Sequence, residues 1–151
     1  MNSITDFNKL VVNLIEIIKS LITIEKDKLN AVTRNNLEKL NVCIKDEQVQ
    51  VMKLRGLDKK REKLLNSLGY DGLTFRQIIS TLDGDEKNEA QKLFNNLKKA
   101  TDDFNSINST VKTAIEVNLH SIDIAIKKLN GISKDENIAV PLNNGLSGKL
   151  V

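Results

Sequence analysis

Chain breakers are missing from the first third of this sequence: no glycine precedes Gly56, and the single proline is Pro141. Tight turns are made with Gly, Pro and a few small polar residues. A chain this poor in them cannot fold as a sandwich or barrel of many short strands. It can make long, uninterrupted helices. Apolar residues are 40% of the 151, which suffices for one buried core, while aromatics are 3% and tryptophan is absent. The core must therefore be built from Leu, Ile and Val. Charged residues at 28% fit helices that keep one face in water.

Apolar spacing divides the chain into four helical segments. From about Thr5 to Arg34, the residues Phe7, Leu10, Leu14, Ile17, Leu21 and Ile24 recur at steps of three and four. Val11, Ile15, Ile18, Ile22 and Leu29 widen that stripe, so this helix should bury more than a narrow seam. Asn35 and Asn36 suit a turn followed by a helix cap. The second segment, about Asn36 to Leu68, carries Leu37, Leu40, Ile44, Val51, Leu54, Leu57, Leu64 and Leu68 and stops at Gly69. Gly56 inside it should cost about 1 kcal/mol relative to alanine. Thr74 and Gln77 have capping-box spacing ahead of a short helix with Phe75, Ile78, Ile79 and Leu82 on one face. After a turn at Asp83-Gly84-Asp85, the longest segment runs from about Asp85 to Asn130 on Leu93, Leu97, Ala100, Phe104, Ile107, Val111, Ile115, Leu119, Ile122, Ile126 and Leu129.

The expected fold is all-α: an antiparallel bundle of three long helices plus one short helix, with the last helix packing along the first two. Core positions should include Leu14, Ile17, Leu21, Leu40, Leu54, Leu64, Leu97, Phe104 and Val111. Residues 1–131 make the helical domain, and residues 132–151, after Gly131, read as a weakly ordered tail. That tail still holds Ile138, Val140, Leu142 and Leu146.

The sequence offers little chemistry. The only histidine, His120, has Glu116 and Asp123 on its helix face, but no second His or Cys stands near, so a solvated polar face outweighs a metal site. There is no phosphate-binding glycine loop and no nucleophile motif, so no enzyme and no cofactor are expected. The lone Cys43 precludes an intramolecular disulfide and suits a reducing compartment. The apolar stretch Leu10 to Ile24 is interrupted by Asn13, Glu16, Lys19 and Ser20, too polar to span a bilayer, and Asp6 ahead of it argues against a signal peptide. A cytoplasmic protein is expected. The net charge of +3 is concentrated on the second segment, with Lys53, Arg55, Lys59, Lys60, Arg61 and Lys63. Asp58 and Glu62 are interleaved there, and only Tyr70 is near to stack a base, so nucleic acid is not the expected partner.

One stretch has a recognisable cast. Asn36-Leu37-Glu38-Lys39-Leu40 and then Lys60-Arg61-Glu62-Lys63-Leu64-Leu65-Asn66-Ser67-Leu68-Gly69 resemble the charged second helix, and its "ERxxLLxxLG" ending, of flagellar export chaperones of the FlgN type. Thr74-Phe75-Arg76-Gln77-Ile78-Ile79 is similar to that family's short helix, and Asn118-Leu119 to Leu129-Asn130-Gly131 to its last helix. The likeness covers about residues 5–131; the tail lacks the aromatic residue frequent in the family.

The resemblance implies a cytoplasmic chaperone of flagellar type III secretion. Its clients would be the hook-associated proteins of the hook–filament junction, whose amphipathic helical ends it masks against premature polymerisation. It would hand them to the export gate or export ATPase. Client binding would fall on the C-terminal part of the last helix and the tail: Leu119, Ile122, Ile126, Leu129, Ile138, Val140, Leu142 and Leu146. The alternative is a structural or regulatory coiled-coil module, whose stripes are satisfied by a second copy in a homodimer.

Overall fold

The structure, a computed structural model, describes residues 3–130. Four helices form in the order α1 (Ile4–Thr33), α2 (Leu37–Ser67), α3 (Phe75–Ser80) and α4 (Gly84–Asn130), and no strand occurs among the described residues. The all-α fold of three long helices and one short one is as the spacing predicts. The tail beginning at residue 132 lies outside the described residues.

Local chemistry sets the helix ends. Ser3 and Asp6 form a capping box: the Asp6 amide donates to Ser3 Oγ (3.3 Å) and the Ser3 amide to Asp6 Oδ2 (3.0 Å). At the other end of α1, the Asn35 amide donates to the Val32 carbonyl (3.2 Å) and the Asn36 amide to that of Ala31 (2.9 Å). This pair of bonds needs a left-handed residue, and Asn35 supplies it at φ +54°. Asn36 then caps α2 by accepting from the Lys39 amide at 3.1 Å, so the chain reverses within three residues. The same closing pair ends α2, from Gly69 to Asn66 and from Tyr70 to Leu65, with Gly69 at φ +77°. Thr74 and Gln77 form the expected capping box on α3.

The long helices run up, down and up. α1 is central, with α2 on one side and α4 on the other, while α2 and α4 have no comparable packing with each other. This differs from a last helix lying along both of the others. The physical reason is that α1 is apolar over most of its circumference, whereas each neighbour offers one face. α1 and α4 are parallel and in a fixed register. Asn108 bonds Glu25 and Asn118 bonds Asn35, each across a separation of 83 residues. On α1 the buried line is Phe7, Val11, Leu14, Ile18, Leu21, Glu25, Lys28 and Val32. On α4 it is Ala90, Phe94, Leu97, Thr101, Phe104, Asn108 and Val111, followed by half-buried Ile115. Both lines step alternately by four and three, as in a coiled-coil seam, and they match layer by layer at the same separation.

Leu14, Leu21, Leu54, Leu97, Phe104 and Val111 are buried as expected; Ile17, Leu40 and Leu64 are only half-buried at the edges. On α2 the buried residues are Cys43, Glu47, Leu54 and Leu65, while Leu37 at its start is exposed. α3 closes the lower end of the bundle. Phe75 stacks edge-on between Phe7 (5.3 Å between centroids) and Phe94 (5.4 Å), an arrangement that aromatic quadrupoles favour.

Phe104 fills the layer opposite Leu21, so Phe104→Ala should lower unfolding stability by about 3–5 kcal/mol in denaturant titration. A loss below about 1 kcal/mol would mean that α4 does not pack on α1 there. Thr101 sits in the same seam with its hydroxyl buried and without a hydrogen-bond partner. Thr101→Val, which keeps the shape and removes the orphaned hydroxyl, should raise stability by about 1 kcal/mol.

Candidate functional site

The helices differ in length: α1 has 30 residues and α4 has 47. With α4 in register on α1, Thr33 at the end of α1 lies beside Glu116. The Asn118–Asn35 bond of 3.2 Å marks the last joint between α4 and the α1–α2 turn. Beyond it, α4 continues for about 20 Å at 1.5 Å per residue. The seam does not stop there. Its steps of four and three pass from Ile115 and Asn118 to Ile122, Ala125 and Leu129, where α1 no longer exists to cover them. Ile122 is 50% exposed and Leu129 83%.

Four of the expected binding residues therefore share this projecting end: Ile122 and Leu129 open to solvent, Leu119 and Ile126 half-buried. Ile138, Val140, Leu142 and Leu146 lie outside the described residues. Sequence reading passed over Val117, which is exposed and stands one heptad before exposed Ile124. That seven-residue spacing was the available signal for a second apolar line on the projection. An apolar face of this kind, on a rigid helix, can accept the apolar face of another helix.

Side chains with chemical potential are dispersed or enclosed. His120 and Glu116 are exposed, and Asp123 is bonded to Lys127 at 3.0 Å. Among the described residues no three His, Cys, Asp or Glu side chains converge as a metal site. Cys43 is buried, and burial pushes its thiol up, with the Asp27 charge adding to the effect, so its thiolate is disfavoured.

The least expected group is internal. Lys28 Nζ donates to Glu47 Oε2 at 2.8 Å and to Glu25 Oε1 at 3.3 Å, tying α1 to α2. Asn108 Nδ2 of α4 makes a long bond of 3.5 Å to Glu25 Oε2. All three charged side chains are at most 2% exposed, so no substrate reaches them. One lysine faces two carboxylates, and a surplus negative charge in a dry interior is costly. Burial accordingly pushes Glu25 up to about 7; nearby Glu47 adds to the rise and Lys28 opposes it.

The ordinary value for such a glutamate is 4.5. Between there and about 7 the folded chain keeps a proton that the unfolded chain has lost. The resulting stability is complete below that window and falls away as pH rises through it. The thermal midpoint should therefore drop as pH rises from 4.5 through about 7, and Glu25→Gln, which imitates the protonated form, should flatten that drop. Equal slopes for both proteins would contradict a proton retained on Glu25.

No helix among the described residues is long and apolar enough to cross a membrane. Comparison with curated proteins finds no match, and neither does comparison with solved structures. The family model described as "FlgN protein" matches residues 1–138. FlgN is a chaperone family and not an enzyme family. With a match over nearly the whole chain and a fold of the expected order and lengths, this protein belongs to the FlgN family of flagellar export chaperones.

Proposed function

We propose that the protein works in the cytoplasm as the chaperone of the flagellar hook-associated junction proteins. In this reading the projecting end of α4 covers the amphipathic helical end of a client, blocks its premature polymerisation, and accompanies it to the export gate or export ATPase. The observation that carries the reading is the continuation of the α1–α4 seam, through Ile122, Ala125 and Leu129, into solvent. A client helix laid there takes the place that α1 vacates. Leu119 and Ile126 border the same surface, and the tail residues Ile138, Val140, Leu142 and Leu146 are proposed to contribute to it.

Energetics fit a partner that must later be released. Burying one large aliphatic side chain contributes roughly 1.5–3 kcal/mol. Three or four of them, less the cost of association, give a dissociation constant of micromolar order. Masking an apolar surface requires no cofactor and no bond-breaking step.

The test is calorimetric titration with hook-associated junction proteins. Micromolar binding is expected, and Ile122→Asp with Ile126→Asp should weaken it about 100-fold while helicity by circular dichroism is kept. Deleting residues 132–151 should weaken binding with little change in thermal midpoint. Full affinity in the double variant would remove the α4 end from the site. Unchanged binding in the truncated protein would remove the tail.

A further inference from the structure

We infer that the outer face of α2 is a second docking surface, built for an acidic amphipathic helix of a partner protein and separate from the end of α4. On the side of α2 turned away from α1, Glu38, Val42, Lys45, Val49, Met52, Gly56, Lys59 and Lys63 follow one another at steps of four and three. That is the spacing of a helix-packing seam, yet nothing among the described residues occupies it. Val42 and Val49 are exposed, and Met52 is 70% exposed. Apolar residues on the solvent side of a helix contribute nothing to its own core.

Gly56 is the second observation. A glycine in the middle of a helix costs about 1 kcal/mol relative to alanine. Here a Cβ would meet nothing within 4 Å, so packing inside this protein does not require the missing side chain. In the seam, next to Met52, its absence lets another helix backbone come close.

Charge identifies the occupant. α4 is charge-balanced, with seven basic and seven acidic residues, and three of its lysines are answered within the helix: Lys98 by Asp102, Lys99 by Asp103 and Lys127 by Asp123. On α2, Lys45, Lys53, Lys59, Lys60 and Lys63 have no ion pair among the described residues; only Arg61 is paired, with Asp58. α2 carries eight basic and five acidic residues, and one of the five, Glu47, is turned inward to Lys28. A line in which Val42, Val49 and Met52 alternate with unanswered lysines, and which Lys53 and Lys60 border, is complementary to a helix with an apolar stripe bordered by Asp and Glu. Single-stranded nucleic acid fits less well, because α2 has no aromatic residue on which a base stacks. A second copy would bring the same positive excess against itself.

The test uses the full chain and a fluorescent synthetic peptide of four heptads, with Leu in its seam and Glu on both flanks. A second peptide carries Lys in place of Glu, and labelled oligothymidylate is the nucleic-acid probe. The acidic peptide should bind in the micromolar range and weaken about tenfold between about 0.05 and 0.5 M salt. Val49→Asp should abolish binding, and the pair Lys53→Glu and Lys60→Glu should weaken it at least about tenfold, since all three positions are exposed and the fold is kept. Ile122→Asp should leave it unchanged, which separates this surface from the end of α4. The proposal is overturned if the acidic peptide does not bind, if the basic peptide or oligothymidylate binds as well, or if Ile122→Asp abolishes binding while Val49→Asp does not. Sedimentation equilibrium gives the remaining contrary result: a dimer dissolved by Val49→Asp assigns this face to a second copy.

Discussion

Everything in this fold hangs on the parallel seam between α1 and α4. It is the longest interface, it holds most of the fully buried side chains, and it runs in one register from Phe7 beside Ala90 to Val32 beside Ile115. α2 and α3 are added to it, α2 against the free side of α1 and α3 across the lower end through Phe75. Alternating steps of four and three on both helices keep them facing each other over eight layers, because that period matches the winding of two helices about one another.

Apolar layers alone hold such a register loosely, since a slip of one heptad exchanges one aliphatic contact for another. The Glu25–Lys28–Glu47 group with Asn108 is the feature that discriminates. A slip of α4 would take Asn108 away from Glu25, and a slip of α2 would take Glu47 away from Lys28, the second leaving charged groups buried without their partner at a cost of several kcal/mol. Its contribution is better seen as choosing one alignment than as adding stability, for an aliphatic layer in the same place would pack without any desolvation cost. That same enclosure is why the group does no chemistry: its polar atoms face each other and not a cleft.

The proposed client site follows from unequal helix lengths. Had α4 ended with α1, near Glu116, the α1–α4 seam would be closed along its whole length. Because it continues, the residues that would have been the next layers of the core are presented to solvent on a rigid support. α2 is different in kind, since its outer face is exposed along the body of the bundle and carries an excess of positive charge. A chaperone that must both hold a client and be recognised with it has use for two surfaces that do not compete.

Much of this was legible in the amino-acid sequence. Helix lengths, the turn at Asn35 and Asn36, the stop at Gly69 and the capping box at Thr74 are local properties, fixed by spacing and by which residues tolerate a left-handed or capping conformation. The projecting apolar end could be suspected, because a stripe reaching Leu129 is longer than the first helix. Tertiary structure decided the rest. Counting apolar residues placed the α4 stripe on Leu93 and Ile107, whereas the buried line runs through Phe94, Thr101 and Asn108. On α1 it runs through Glu25 and Lys28. Those polar members are invisible to a hydrophobic pattern, since a charge is acceptable in a core only when its partners arrive from other helices, and a linear sequence does not say which helices meet. For the same reason, only the assembled bundle could show that α2 packs chiefly on α1, leaving its lysines and Met52 facing outward.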